Sequence, residues 1–519
     1  MHAEAAYLFR HALLRDAAYQ MQMPGDRARL HEFAFYLIEE SFGGRAHESL
    51  PLDARGTHEF NPHPTDVVAA ELAEHARIST SEETEPAKLE AEYRLYLRRA
   101  AEYSETQFRE DVAVRHWQAL ASATTDAQRG EALRRAAVAA GDANLLGLAE
   151  TLAKQATEHQ RECGDRWLEG LAAGSLAALY AQSDKINLAE TMYEEALAID
   201  REVGNRRAEG VVLGNLANLY RESGRVERAE QTFELALAAL RDVGHLRVEG
   251  TVLGNLASLY HQTGRLSEAE SAFSQSIAMH RKCGNRRSEG KVLANMASHY
   301  QQTRRLELAE QAYGQALDVL REVGDQFVAA AVLGNLASLY HETGRRIEAE
   351  QLYRQALASL REVGNRRFEG VTLGNLANLY VDAKRFNEAE QAYERSRSIH
   401  ADVGNTRYEG VTLCNLGMLY RDTNRLEQGK RAFVAALAIH RDVGDRYFEG
   451  LNLCNYACLL VADGGIPAAQ KAWQQGETIL RELGAGEELA AVAVTLREAC
   501  NIAGISTFDV YEGGTRDDE

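Results

Sequence analysis

The chain has 519 residues, more than one hydrophobic core usually organises, and a formal net charge of −19 from 58 basic and 77 acidic side chains. That negative field argues against nucleic acid and membrane surfaces as main partners. Without a secretory signal, a long apolar stretch or more than six cysteines, the sequence predicts a cytoplasmic protein. Proline is absent from residue 87 to residue 466, which predicts a long helical array.

Residues 1–87 differ from the rest of the chain, and we expect an irregular helical cap or linker there. The run from Ala6 to Tyr19, followed by Arg27, Leu30 and His31, resembles the segment after the nucleotide-binding domain of bacterial STAND-type ATPase regulators. The resemblance implies a sensor arm of a signalling ATPase, or a descendant that lost its motor. A plain amphipathic cap explains the same residues. The sequence itself contains no phosphate-loop motif, so we expect no ATP site in it.

Two weakly patterned stretches lead into the array. Residues 43–65 are rich in proline and predict a loop, and residues 79–85 predict an acidic linker. Over residues 88–164 the small and aromatic residues follow a loose version of a 40-residue spacing that becomes regular further on. We therefore predict two degenerate repeat units at 88–164.

Eight regular units fill residues 165–484, because glycines recur every 40 residues without insertion or deletion. Each unit holds two stretches with apolar residues at helical spacing. The boundary glycine suits the left-handed end of a helix, and the next residue, usually Asn or Asp, suits the N-cap of the following one. His245 is expected to be a poor cap. The glycines are Gly164, Gly204, Gly244, Gly284, Gly324, Gly364, Gly404, Gly444 and Gly484.

Within a unit, small and aromatic residues occupy matching places on both helices, such as Ala217, Tyr220, Ala229 and Phe233. This pattern resembles the tetratricopeptide repeat, although the units run 40 residues instead of about 34. The longer form is that of kinesin light chains, cell-polarity scaffolds and many bacterial regulators. The resemblance implies an all-α fold, a right-handed α-solenoid of stacked antiparallel helix pairs. A capping helix at 485–505 and an acidic tail at 506–519 are expected to follow.

An asparagine occupies the same first-helix position in seven of the eight units. At 100° per residue this position lies opposite Leu213 and Leu216, so the amides are expected to face away from the core. In the tetratricopeptide family that face lines the concave groove, where an asparagine binds peptide backbone or a terminal carboxylate in chaperone-binding members. An amide can pair with both polar groups of an extended peptide unit. We therefore predict peptide binding by Asn215, Asn255, Asn295, Asn335, Asn375, Asn415 and Asn455.

An arginine row begins the same helices at Arg207, Arg247, Arg287, Arg367 and Arg407. A cation in the first turn interacts unfavourably with the helix dipole, at a cost of about 0.3–1 kcal/mol. A ligand or a carboxylate is therefore expected to neutralise it. Recent duplication with internal salt bridges is the alternative to ligand binding. The fifth unit breaks the row with Gln326, Phe327, Ala329 and Ala330, as a specificity pocket or a packing variant. The candidate carboxylates are Glu209, Glu249, Glu289, Glu369, Glu409 and Glu449.

Catalytic signals are weak. The sixteen histidines form no His-Glu-x-x-His motif, and Cys414, Cys454 and Cys458 lack a fourth zinc ligand, so small-residue packing explains the thiols better. We predict no metal, no cofactor and no catalysis. The predicted function is a scaffold that binds an extended, acidic or carboxylate-ended segment of a protein partner. The sensor arm is the second hypothesis, and a hydrolase that uses Cys454 or Cys458 is the third.

Overall fold

The computed structural model describes residues 23–55, 60–80, 89–183 and 185–508, and within these ranges the regular structure is entirely helical. The segment from Ala6 to Tyr19, most of the predicted acidic linker and most of the predicted tail lie outside the described residues. The chain divides into two compact units, Met1–Asn285 and Arg286–Glu519. The all-α solenoid predicted from the repeats is confirmed, because each unit consists of helix pairs that stack on one another.

The first unit contains twelve α-helices in its described residues, with a short 3-10 helix at Pro64–Val68 between the first two. Helices α7 to α12 form three regular pairs. The helices are α1 (Pro24–Ser41), α2 (Ala69–Thr80), α3 (Glu90–Thr106), α4 (Glu110–Ala123), α5 (Asp126–Asp142), α6 (Leu146–Cys163), α7 (Arg166–Gln182), α8 (Ile186–Glu202), α9 (Arg206–Glu222), α10 (Val226–Asp242), α11 (Leu246–Gln262) and α12 (Leu266–Lys282).

The second unit contains five further regular pairs and a closing helix, which packs against the first helix of the last pair. They are α13 (Arg286–Gln302), α14 (Leu306–Glu322), α15 (Gln326–Glu342), α16 (Arg346–Glu362), α17 (Arg366–Asp382), α18 (Phe386–Asp402), α19 (Thr406–Asp422), α20 (Leu426–Asp442), α21 (Arg446–Ala462), α22 (Ile466–Glu482) and α23 (Gly486–Ala503).

The boundaries between pairs follow the predicted capping chemistry with two exceptions. Gly204 has φ +70°, and the Asn205 side chain accepts a hydrogen bond from the Ala208 backbone N–H at 3.2 Å. The expectation that His245 is a poor cap was wrong, because its Nδ1 accepts from the Val248 N–H at 3.3 Å. Asn405 makes no capping bond, and its Nδ2 lies 3.1 Å from Nδ1 of His400 instead.

First helices form the inner row of each stack. In the first unit α7 contacts α9 and α9 contacts α11, and in the second unit each of α13, α15, α17 and α19 contacts the next first helix. Neighbouring second helices of the described residues approach one another less closely. A stack whose first helices lie closer together bends toward them. The surface of the first helices is therefore the inner face.

A contact between tyrosine, arginine and glutamate ties several of the regular pairs to the pair before them. The Arg225 guanidinium lies over the Tyr220 ring at 4.4 Å, and its Nη1 is 2.8 Å from a carboxylate oxygen of Glu190 on the preceding pair. We call this contact the clamp. It recurs as Arg265, Tyr260 and Glu230; Arg345, Tyr340 and Glu310; Arg385, Tyr380 and Glu350; and Arg425, Tyr420 and Glu390.

Buried charge holds the segment before α2 against the start of the array. The Arg99 and Asp66 side chains are each 2% exposed, and Arg99 Nε lies 2.6 Å from Asp66 Oδ1. The same guanidinium donates to the Asn61 carbonyl at 2.9 Å. Arg98 donates to the carbonyl of Leu50. These bonds pin residues of the predicted loop, including the buried Leu52, beside the inner face of the first unit.

Buried histidine replaces leucine at one core position of the second helix. His400 is 1% exposed where other units have Leu320 or Leu360, and burial together with the Arg367 charge lowers its pKa to about 4. The folded chain therefore holds His400 neutral, whereas the unfolded chain protonates it below about pH 6.5. Its contribution to stability is complete above pH 6.5 and is lost as the pH falls toward 4.

We expect His400→Leu to remove this acid sensitivity. Between pH 7.5 and pH 5 the wild-type free energy of unfolding of the second unit should fall by roughly 1–2 kcal/mol more than that of the variant. Urea unfolding followed by circular dichroism at the two pH values measures the difference. An equal loss in both proteins would contradict the assignment.

Asp200 stands at the equivalent position of the first unit and gives the opposite expectation. Its side chain is fully buried with no hydrogen-bond partner in the described structure, and burial followed by the Glu209 charge raises its pKa to about 7. Its contribution to stability is complete below pH 3.8, where both states are protonated, and is lost progressively as the pH rises to 7. Asp200→Leu, which copies Leu240, should therefore raise stability at pH 7.5 by at least about 1 kcal/mol, and by clearly less at pH 5, where only part of the cost has accumulated. Parallel urea titrations measure both values, and an equal gain at both would be the contrary result.

Candidate functional site

The seven predicted asparagines all lie on first helices, and none is buried. Asn215, Asn295 and Asn335 are exposed, whereas the other four are half-buried. Leu213 and Leu216, on the opposite side of the same helix as Asn215, are only 4% and 5% exposed. The asparagines therefore form a column on the inner face within each unit, and we call this set the Asn column.

The fold makes little use of the Asn column amides. Asn455 Nδ2 donates to the Leu451 carbonyl at 3.1 Å. The other six side-chain amides have no hydrogen-bond partner among the residues that the structure describes. A solvated amide at these positions can exchange water for a peptide group.

The arginine row divides into two classes according to the N-cap of the following pair. Arg287 Nε lies 2.6 Å from Asp325 Oδ2, and Arg407 Nε lies 2.6 Å from Asp445 Oδ2. Both aspartates also cap their own helices. These two cations are therefore neutralised by the next repeat.

Three members of the row precede a neutral N-cap instead. The next caps after Arg207, Arg247 and Arg367 are histidine or asparagine, and these arginines have no carboxylate partner within the described ranges. Burial and the Arg247 charge lower the pKa of Arg207, as expected for a cation without an anion beside it. The unneutralised cations of the first unit are thus adjacent, at Arg207 and Arg247.

Four of the six candidate carboxylates, Glu209, Glu289, Glu369 and Glu449, bind a different arginine row, one residue earlier, whereas Glu249 binds Arg241. Glu209 lies 2.6 Å from Arg206 Nη1 and 2.8 Å from Arg201 Nε at the end of the preceding pair. Glu369 and Glu449 bind Arg366 and Arg446 in the same way, together with Arg361 and Arg441. Internal salt bridges therefore explain the earlier row and leave Arg207, Arg247 and Arg367 outside it.

The irregular fifth unit changes the chemistry of the inner face. Phe327 occupies the place of a row arginine, and its ring meets Phe368 edge-on with centroids 5.0 Å apart. A polar cavity of about 480 Å³ lies toward the C-terminal end of the same helix and is lined by Ser298, Gln301, Ser338 and Asn335, among others. Both features contribute residues to the same inner face as the Asn column.

The cysteine cluster is buried and chemically quiet. Cys454 and Cys458 are fully buried, and burial raises the pKa of the Cys458 thiol to about 12 and that of Cys454 further. The pKa of Cys414 is also raised by burial, to about 12. Thiolate is the metal ligand and the nucleophile, so these environments disfavour both roles. Within the described ranges, no group of three or more His, Cys, Asp and Glu side chains could hold a metal ion.

A larger cavity of about 800 Å³ lies beside Asn215, the first member of the Asn column. The sequence did not predict it. Asn215 and Arg207 line it together with Arg55, Trp167 and apolar residues of α7. The one signal in the sequence was Trp167, which stands at the row position where most units have arginine. Its partner Arg55 lies outside the repeats, so no periodicity could reveal it.

Comparison with known families identifies the repeats. The profile described as Tetratricopeptide repeat matches residues 168–242, 209–282, 248–322, 288–362 and 328–402, and a second profile of that description matches 411–442. Together these ranges cover slightly more than half of the chain. The chain belongs to the tetratricopeptide repeat proteins, as predicted. A search of curated proteins finds no match.

Several solved structures are similar to parts of this chain at low identity. BtubC (BKLC) from P. vanneervenii is 22% identical over 42% of this chain and 92% of its own, with a TM-score of 0.38. A Rap protein complexed with Competence and Sporulation Factor is 13% identical over 73% and 99%, with a TM-score of 0.47. The STAND protein PH0952 from Pyrococcus horikoshii, with a tetratricopeptide repeat sensor, is 15% identical over 92% and 67%, with a TM-score of 0.48.

Family membership supports a protein-interaction scaffold as the general role, on a fold that is generally not catalytic. None of the helices in the described ranges combines the length and the apolar character needed to cross a bilayer.

Proposed function

We propose that this protein is a non-catalytic cytoplasmic scaffold whose inner face binds an extended segment of a partner protein. The observation that carries the proposal is the Asn column, where six solvent-accessible amides have no partner within the described structure. Asparagine is a mediocre helix former, so its repetition at an exposed helical position points to a use other than folding.

The spacing of the column suits an extended chain. Packed helices lie about 8–10 Å apart, and an extended peptide advances about 3.3 Å per residue. Each amide would therefore meet about every third residue of a segment that runs along the stack. Because an amide both donates and accepts, such contacts fix backbone and leave side-chain specificity to neighbouring residues such as Phe327 and Phe368.

Charge favours an acidic or carboxylate-ended segment, and it does so on the inner face of the first unit. Arg207 and Arg247 have no carboxylate partner among the described residues, whereas Arg287 and Arg407 are already neutralised. An anion beside the two unneutralised cations gains charge-assisted hydrogen bonds without breaking an existing ion pair. The sensor-arm alternative depends on residues 1–40, which lie mostly outside the described residues, so it stays a prediction.

We expect Asn295→Leu, Asn335→Leu and Asn375→Leu, combined in one variant, to weaken peptide binding at least about tenfold, because each lost hydrogen bond contributes about 1 kcal/mol. The probe is a peptide selected on the full chain from a random display library, and fluorescence anisotropy measures its Kd. Helicity and thermal unfolding should remain unchanged, since the three amides are not used by the fold.

The matched control makes the same amide-to-leucine change on the outer helices of the same three pairs, at the exposed Gln311, Gln351 and Gln391. This variant should bind like the wild type. Undiminished binding by the Asn variant, or equal loss in both variants, would show that the column does not bind the peptide.

Arginine variants test the charge assignment separately. For an acidic probe selected in the same way, Arg207→Gln with Arg247→Gln should raise the Kd about tenfold. The Kd should also depend less on salt, because two cations that attract the probe are lost. The control, Arg407→Gln with Asp445→Asn, removes a whole ion pair without changing the net charge, keeps a residue that can cap the helix, and should leave the salt dependence intact. Titrations at low and physiological ionic strength measure both, and a reversed order of effects would refute the assignment.

A further inference from the structure

The cavity of about 800 Å³ in the first unit lies where three first helices, α5, α7 and α9, run side by side. Leu52, Ala54 and Arg55 of the segment before α2 form one edge of it. We call this cavity the mouth pocket. Its volume is in the range that accommodates small organic ligands or the side chain and end group of a peptide.

Small residues keep the mouth pocket open. Ala208, which is 5% exposed and lines it, stands where later repeats have Phe368, Tyr408 and Phe448. Gly174 and Ala178 on α7 also line the pocket. The cavity is therefore a property of this repeat and not of the stacking in general.

The walls are apolar, and the rim carries cations. Leu168, Leu171, Leu179, Val211 and Val212 line the interior. The Arg55 guanidinium lies over the Trp167 ring, 5.5 Å from its centroid. An apolar body would thus exchange water for aliphatic and aromatic contacts.

Within the part of the chain that the structure describes, two arginines at the pocket have no carboxylate beside them, whereas the others do. Arg134 lies 2.7 Å from Glu131, and Arg206 lies 2.6 Å from Glu209 and 2.8 Å from Asp242. Arg135 is also paired with Glu131, and the carboxylate of Asp142 lies elsewhere on the lining with interactions of its own. For Arg55 and Arg207 the described residues offer no carboxylate.

We propose that the mouth pocket binds a carboxylate attached to a bulky apolar body, with the carboxylate at Arg55 and Arg207 and the body between Trp167 and the aliphatic wall. Two sources share this chemistry, a free organic acid and the carboxyl-terminal residue of a peptide. The inference goes beyond the proposed function, because the pocket can bind a free acid whether or not the Asn column binds a peptide.

Tryptophan fluorescence of the full chain provides the test. Trp117 and Trp473 are fully buried, whereas Trp167 is partly exposed in the pocket, so a signal that disappears in Trp167→Phe reports on this site. The first probes are decanoate and decanol, which share their apolar body. Decanoate should bind at least about tenfold more tightly than decanol, because the carboxylate forms charge-assisted hydrogen bonds.

Variants locate the binding. Arg55→Gln with Arg207→Gln should bring decanoate to the affinity of decanol, and Arg247→Gln, in the same row but outside the pocket, should not. Ala208→Phe should abolish binding of both probes, because Ala208 lines the pocket and the larger ring would take up its volume. Val248→Phe, the same repeat position one unit on, is its control for folding and should bind normally.

A second arm distinguishes the sources. An N-acetylated hexapeptide that ends in phenylalanine is compared as free acid and as amide in competition with decanoate. Competition by the acid alone supports capture of a peptide end, and decanoate binding without peptide competition supports a free acid. Equal affinities for decanoate and decanol, or a decanoate signal that survives Ala208→Phe, would overturn the proposal. The peptide affinity of the Asn column variant does not depend on either outcome, because none of its three substitutions lies in the mouth pocket. The two proposals can therefore fail independently.

Discussion

Each helix pair depends on its neighbours, because a pair of amphipathic helices cannot bury its apolar surface alone. Fully buried alanines such as Ala217 and Ala229 let the two helices approach closely around Phe233, which is itself fully buried. The clamp then connects successive pairs, with Arg225 held between the Tyr220 ring and the Glu190 carboxylate. Stacking therefore sets which residues of one repeat meet which residues of the next.

This dependence explains how nearly identical repeats present different charges. The N-cap of one pair lies beside the row arginine of the pair before it, so aspartate at the cap neutralises that arginine, and asparagine or histidine does not. Aspartate, asparagine and histidine can each accept a backbone hydrogen bond at this N-cap, as at Asp445, Asn205 and His245. A substitution that is neutral for capping, such as Asp445 against His245, thus changes the inner face of the preceding repeat without disturbing the stack.

Contacts inside one repeat were predictable from the sequence, and contacts between repeats were not. Helical periodicity placed the asparagines opposite Leu213, since that relation involves one helix only. Pairing of Glu209 with Arg201 of the preceding repeat, and the clamp at Arg225, depend on how helices dock. The mouth pocket could not be predicted from the repeat pattern, because Arg55 belongs to a segment outside the repeats. The buried Arg99–Asp66 pair holds that segment in place.

The net charge of −19 and the cations of the inner face act over different distances. At physiological ionic strength a charge is screened beyond about 8 Å, so an approaching acidic segment meets only a weakened repulsion from the chain as a whole. Once it reaches Arg207 and Arg247, the attraction acts over hydrogen-bond distances, well inside the screening length. Lower salt strengthens both the overall repulsion and the local attraction, and it lengthens the distance over which the repulsion acts. The chain should therefore bind acidic segments selectively where unneutralised arginines lie, although its overall charge opposes them.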